Sequence, residues 1–191
     1  MAGHQIGLSN LHVFKLESDD ASGAKYGEAI AVPEIVSVSI EPQNQQAKLY
    51  ADNQSVDAAN TVSEYKLSIE MAGLSLEHKA LLLGHSYENG QTVAGKEDVS
   101  PFFAVAFDCL KSNGKKRYMK FLKVQFAEPK ENPKTKADKI EFNQPSIEGT
   151  AIYRSFDGNV YKAADEDEKD FDATVATNWY KYVDKASGAS V

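Results

Sequence analysis

Tyr65-Lys66-Leu67-Ser68-Ile69-Glu70-Met71 is the stretch on which the reading of this chain turns. Apolar and polar residues alternate one by one, the period of a strand with one face buried and the other wet. Tyr65, Leu67, Ile69 and Met71 share one face, and Glu64, Lys66, Ser68 and Glu70 share the other. Gly73 breaks the run. Ser75 then stands where a helix cap is favoured, with the acidic Glu77 in the first turn. Leu76, Ala80 and Leu83 recur at helical spacing, and Gly84 ends the helix in a left-handed conformation. A helix of about ten residues is marginal alone, so it must pack on the sheet.

Toward the N-terminus, 8–16 reads as a first strand, 18–27 as a loop and 30–40 as a second strand. In the latter Val36, Val38 and Ile40 face one way, and Ser37 and Ser39 the other. Residues 41–61 are polar apart from Leu49-Tyr50-Ala51. This segment reads as a long hairpin or an extended loop. It is too long for a plain connection, which makes it a candidate partner contact.

Toward the C-terminus, 102–110 is a strand with two apolar faces. Phe103, Val105, Phe107 and Cys109 lie on one, and Phe102, Ala104, Ala106 and Leu110 on the other, so both need cover, from the helix or a neighbouring copy. Asn113-Gly114 signals a hairpin into 117–126, where Tyr118, Leu122, Val124 and Phe126 are expected on one face, interrupted by Lys120. Residues 140–142 and 146–154 resume the strand pattern, and Asp157-Gly158 marks another hairpin. An acidic run at 165–172 precedes Val175, Trp179 and Val183, whose four-residue spacing predicts an amphipathic helix over 172–183.

The 191 residues carry a net charge of −7, with 42% apolar and 26% charged side chains. That is an ordinary globular composition, with a charge that repels phosphates rather than gripping them. Cys109 is the only cysteine and lies in an apolar strand, so it reads as a buried hydrophobe. Met1-Ala2-Gly3-His4 has neither the charge nor the apolar stretch of a secretion signal, and no apolar run is long enough to span a membrane. Folding in a cytosol is expected.

Catalytic and metal chemistry is not suggested. His4, His12, His78 and His85 form no metal-ligand spacing, and no phosphate-binding glycine loop, nucleophile elbow or calcium loop is present. Lys115, Lys116 and Arg117 read as a charged hairpin tip rather than a nucleic-acid site, and in a ring of copies this tip is expected to meet Asp165, Glu166 and Asp167 of a neighbour.

The order of several short signals resembles the major tail tube proteins of long-tailed bacteriophages, especially the group from phages and prophages of Gram-positive bacteria. The likeness rests on Gly7-Leu8, Asn10-Leu11-His12, Tyr26-Gly27 and Leu49-Tyr50-Ala51-Asp52, then on Glu70 to Gly73 and Leu83-Gly84-His85. It continues through Leu110 to Lys115, Phe126-Ala127-Glu128-Pro129, Ile147-Glu148-Gly149-Thr150, Asp157-Gly158, Tyr161 and Ala164-Asp165-Glu166-Asp167. It covers about 5–185 through the order of the signals, no one of which is specific.

The resemblance implies a mainly β fold: a β-sandwich or small barrel with a flanking helix, a long early loop and a C-terminal helix. It divides the chain into a tail-tube domain over 1–164 and an acidic linker with its helix over 165–191. Family members assemble as stacked hexameric rings. The tube houses a tape-measure protein, is bounded by tail terminator and distal tail proteins, and conducts DNA without specific binding. No cofactor, metal or membrane is involved, and the place of action is the virion tail after synthesis in a bacterial cytoplasm. The loop with Leu49, Tyr50, Ala51 and Asp52 is then expected to reach the adjacent ring, and the Glu64, Lys66, Ser68 and Glu70 face to line the lumen. Other readings are a tail terminator, a contractile-particle tube protein, or a carbohydrate-binding β-sandwich using Tyr153, Tyr161 and Trp179.

Overall fold

The alternating run at 65–71 is the inner end of an 18-residue strand in the computed structural model, which describes residues 3–51, 54–131 and 144–184. The strands are β1 (Gln5–Asp20), β2 (Gly23–Ala31), β3 (Ile35–Ala51), β4 (Gln54–Met71), β5 (Ser86–Glu88), β6 (Gln91–Val93), β7 (Phe102–Lys111), β8 (Lys116–Phe126), β9 (Ser146–Ala151) and β10 (Tyr161–Asp165). The helices are α1 (Leu76–Leu83) and α2 (Ala173–Asn178). All strands except the β5–β6 hairpin join one antiparallel sheet, in the order β2-β1-β7-β8-β9-β4-β3, with β10 also on β8.

The sheet bends until β1 and β3 approach each other, and one core forms inside the bend. Leu11 and Val13 of β1, Leu67 and Ile69 of β4, and Phe103, Val105 and Phe107 of β7 meet there. The fold is therefore mainly β as expected. It is an open curl, because the end strands β2 and β3 are not paired with each other.

Eight register shifts interrupt the pairing of this sheet among the described residues, and three of them matter most here. The first is a bulge in β1 between Ser9 and His12, where Asn10 takes φ 59°. The second lies between Ile35 and Ser37 in β3. It drops Val36 out of phase, so Val36 is exposed while Ile35, Val38 and Ile40 pack on the core. The third is in β8, where Val105 pairs with Phe121 but Phe103 pairs with Val124. One extra residue there turns Tyr118 and Leu122 to one face, and Val124 and Phe126 to the other. The single face expected for these four is thus split. The sheet also forks at this bulge. β10 pairs with the half of β8 before it, and β9 with the half after it. Asp157-Gly158 is accordingly a turn between two strands that both pair with β8, rather than the tip of their own hairpin.

Two boundaries also shift. The loop expected at 18–27 is only Ala21-Ser22, because the Asp20 carboxylate accepts from the Ser22 backbone N–H at 2.8 Å and closes a tight turn. The strand expected at 30–40 breaks at Val32-Pro33-Glu34, where Glu34 adopts φ 66°. The strand expected at 140–142 lies outside the described residues.

α1 is capped as expected. Ser75 Oγ accepts from the His78 backbone N–H at 3.1 Å, and Gly84 takes φ 76°. A Cβ on Gly84 would lie 2.3 Å from the Val99 carbonyl oxygen, so only glycine fits. Ala80, Leu82 and Leu83 carry the packing. Leu76, expected among them, is exposed, since the C-terminal half of the helix is the part that faces the core.

The second apolar face of the sheet holds Phe14, Ala104, Ala106, Tyr118 and Leu122. The chain's own C-terminal segment covers it, through Phe171, Val175, Trp179, Tyr180 and Val183. No neighbouring copy is needed for this cover. The helix expected over 172–183 shortens to α2, because the Lys120 ammonium draws the carbonyls of Trp179 and Tyr182 onto itself. That ammonium also lies 4.7 Å from the Trp179 ring centroid. Burial, together with the charge of Lys162, pulls its pKa down to about 8.

The end of this segment is pinned by buried charge. Arg154, 2% exposed, pairs with Asp184 and Asp157 and donates to the Tyr26 hydroxyl at 3.2 Å. Asp19 accepts from Lys123 at 2.6 Å and from the Ser155 and Phe156 amides.

Two predictions follow from this packing. A Cβ on Gly149 would sit 2.9 Å from Val124 Cγ1. Gly149→Ala should cost about 1–3 kcal/mol through overpacking, read from the urea midpoint. The Arg154 hydrogen bonds hold the Asp157 carboxyl at about 2. Burial pushes Asp19 up, but Lys123 and the two amides outweigh it and leave it at about 2. Both folded values lie below the unfolded ones. Their stabilisation is therefore full at neutral pH and is lost as pH falls from about 4 to about 2. The urea midpoint should drop across that window, and the drop should shrink in Asp157→Asn.

Candidate assembly surfaces

Strand pairing extends the polar face of β4 across three strands. Ser37, Glu70 and Ser146 form one row; Ser39, Ser68 and Glu148 the next; Glu41, Lys66 and Thr150 a third; and Gln43 and Glu64 close the face. Hydrogen bonds tie the rows sideways. Ser37 donates to Glu70 at 2.6 Å, and the Ser68 and Ser146 hydroxyls lie 3.1 Å apart. Four glutamates, Glu41, Glu64, Glu70 and Glu148, stand against one lysine, Lys66, on this face. Its centre is a shallow cleft of about 410 Å³ lined by Ser39, Glu41, Lys66, Ser68, Glu148 and Thr150. Lys66 and Glu70 are exposed, and Glu64 and Ser68 are half-buried.

The segment at 41–61 is a hairpin, not a loop. β3 and β4 pair continuously to Ala51 and Gln54, whereas β9 accompanies β4 only over Tyr65–Glu70. Beyond Asn44 and Val62 the two strands run on, for about 25 Å at strand rise, without a third strand among the described residues. Leu49, Tyr50 and Ala51 lie at the far end of β3. Asp52 lies outside the described residues.

The charged hairpin tip does meet the acidic run, but within one chain. Lys111, 1% exposed, pairs with both Asp165 and Asp167. Arg117 reaches Asp165 at 2.7 Å, Lys115 reaches Asp167 at 3.3 Å, and the Lys116 amide donates to Glu166 at 2.8 Å. The contact expected between neighbours is thus closed internally by Lys115, Lys116, Arg117, Asp165, Glu166 and Asp167. The reason is that β10 pairs with β8 and brings Asp165 opposite Arg117. Lys111 donates to Asp167, as do the Gly3 amide and Asn113, and together they hold the Asp167 carboxyl well below the usual range.

Sequence reasoning missed a second buried anion. Asp108, fully buried, accepts from Ser9 at 2.8 Å, Asn10 at 2.7 Å and Tyr180 at 2.6 Å, and pairs with Lys116 at 3.2 Å. It ties the β1 bulge, β8 and the C-terminal segment together. Its only trace in the sequence is a carboxylate inside the apolar run 102–110. Of the three aromatics considered for a carbohydrate-binding groove, Tyr153 and Tyr161 are exposed and Trp179 is not. Trp179 is buried over Lys120, while Tyr161 packs edge-on against Tyr65.

The model of a family described as phage tail tube protein matches residues 39–183, spanning the arm, the acidic face and the C-terminal segment. A search of curated proteins finds no match. The matched region covers most of the fold described above, from within β3 to the C-terminal segment, and leaves out β1 and β2. The chain belongs to the phage tail tube protein family, and is a structural component of the virion tail rather than an enzyme.

Proposed function

We propose that copies of this chain close into hexameric rings that stack into the tube of a long-tailed phage, of the group carried by phages and prophages of Gram-positive bacteria. The observation that carries this reading is the arm. Two strands without a third are marginal in water, so an arm of this length calls for a partner surface, here the adjacent ring. The edges of β2 and β3, which pair with no further strand among the described residues, support ring closure. They lie at opposite ends of one sheet and differ from each other, which suits a head-to-tail contact that closes by rotation. The acidic face with Glu64, Lys66, Ser68 and Glu70 lines the lumen, where like charge keeps DNA moving. A tape-measure protein fills the channel before DNA passes, and a tail terminator and distal tail proteins close its ends.

Replacing residues 47–59 by Asn-Gly places a two-residue turn between the paired Gln46 and Asn60. This variant should keep the thermal midpoint of the sheet and lose tube formation in negative-stain images; intact tubes from it would refute the role of the arm. End-on views of wild-type tubes should show six-fold rings.

Thiol labelling tests the lumen. In assembled Ser68→Cys tubes a small maleimide should react and a bulky polymer-linked one should not, whereas both should react with the unassembled subunit. Reaction with both reagents in the tube would put this face outside, and reaction with neither would put it in a subunit contact.

A further inference from the structure

His85 follows the glycine that ends α1, and both of its ring nitrogens face carboxylates. Nδ1 lies 2.7 Å from Asp98, and Nε2 lies 3.1 Å from Glu128. These carboxylates belong to different segments. Asp98 sits in the turn after β6, where its carboxylate also accepts from the Gly95 amide at 2.8 Å. Glu128 sits just past the end of β8. A neutral imidazole carries one N–H and satisfies one carboxylate, while only the imidazolium donates to both.

We propose that His85 is a proton-operated clamp that joins the end of α1 to the 95–98 turn and to the 127–131 segment when protonated, and releases one of them when neutral. The proposal stands on this geometry and is independent of the lumen and ring assignments. The charged groups around the clamp reinforce it unequally. Lys79 of α1 reaches Glu128 at 2.9 Å and Glu131 at 2.7 Å, a tie that does not depend on His85. Lys96 and Glu97 of the turn pair with each other at 3.3 Å. Lys79 therefore keeps 127–131 in place when the imidazole loses its proton, and it masks part of the release. The hydrogen bonds to Asp98 and then Glu128 raise the imidazole pKa above its ordinary value. The clamp is therefore fully closed below about pH 6.5, the unfolded value, and opens as pH rises through the folded one.

The test is amide hydrogen exchange of the full chain between pH 5.5 and 9, corrected for intrinsic rates, with peptides covering 94–98 and 127–131. Protection in at least one of these segments should fall several-fold as pH rises. The step should vanish in His85→Gln and grow in Lys79→Met. A flat wild-type profile, or a step that survives in His85→Gln, would overturn the proposal. If His85→Gln does not fold, ring ¹⁵N shifts of the wild-type His85 decide. Both nitrogens protonated with a midpoint above about 6.5 is the expected result, and a midpoint at or below it refutes the clamp.

Discussion

β7 is apolar on both faces, and neither face can be left to water. Phe103, Val105 and Phe107 turn into the bend of the sheet, and Ala104 and Ala106 turn away from it. The first set drives the curl that brings β3 toward β1. The second set demands a cover, and a flat alanine surface accepts bulky side chains from above. Trp179, Val183 and Tyr180 supply them. The C-terminal segment is thus part of the fold rather than an appendage, and Lys120, Arg154 and Asp108 of the rest of the chain fasten it by polar contacts.

The parts of this architecture set by local rules were readable from the residues. The alternation at 65–71, the Ser75 and Gly84 caps, and the Asn113-Gly114 turn each follow from a short-range preference that the tertiary structure leaves intact. Bulges were not readable. A single extra residue in β8 leaves the apolar composition unchanged while moving Val124 and Phe126 to the other face. Glu34 breaks a strand by adopting a left-handed conformation, although glutamate carries no turn signal. Buried charges were hidden for a related reason. Lys111 and Asp165 look like surface residues until the pairing of β10 with β8 brings them together, and Arg154 does until the C-terminal segment brings Asp184 to it.

The assembly surfaces divide along the same line. The acidic face was legible because it is the wet side of an amphipathic strand, and pairing with β3 and β9 widened it by residues of like character. The arm was legible only as a length of polar chain, since a two-stranded hairpin and an open loop share that composition. The charge contact was legible in its partners but not in its connectivity, because complementary sequences do not say whether they meet in one molecule or two.

The extra residue in β8 has a consequence for how such genes change. On one side of it the strand serves β10 and the covered outer face; on the other it serves β9 and the inner core. A codon inserted or removed in 116–123 would invert the facing of every side chain downstream in that strand, and exchange Val124 and Phe126 for polar neighbours in the interior. Length variation should therefore collect in the connection after β8 and spare the strand itself, even where substitutions are frequent.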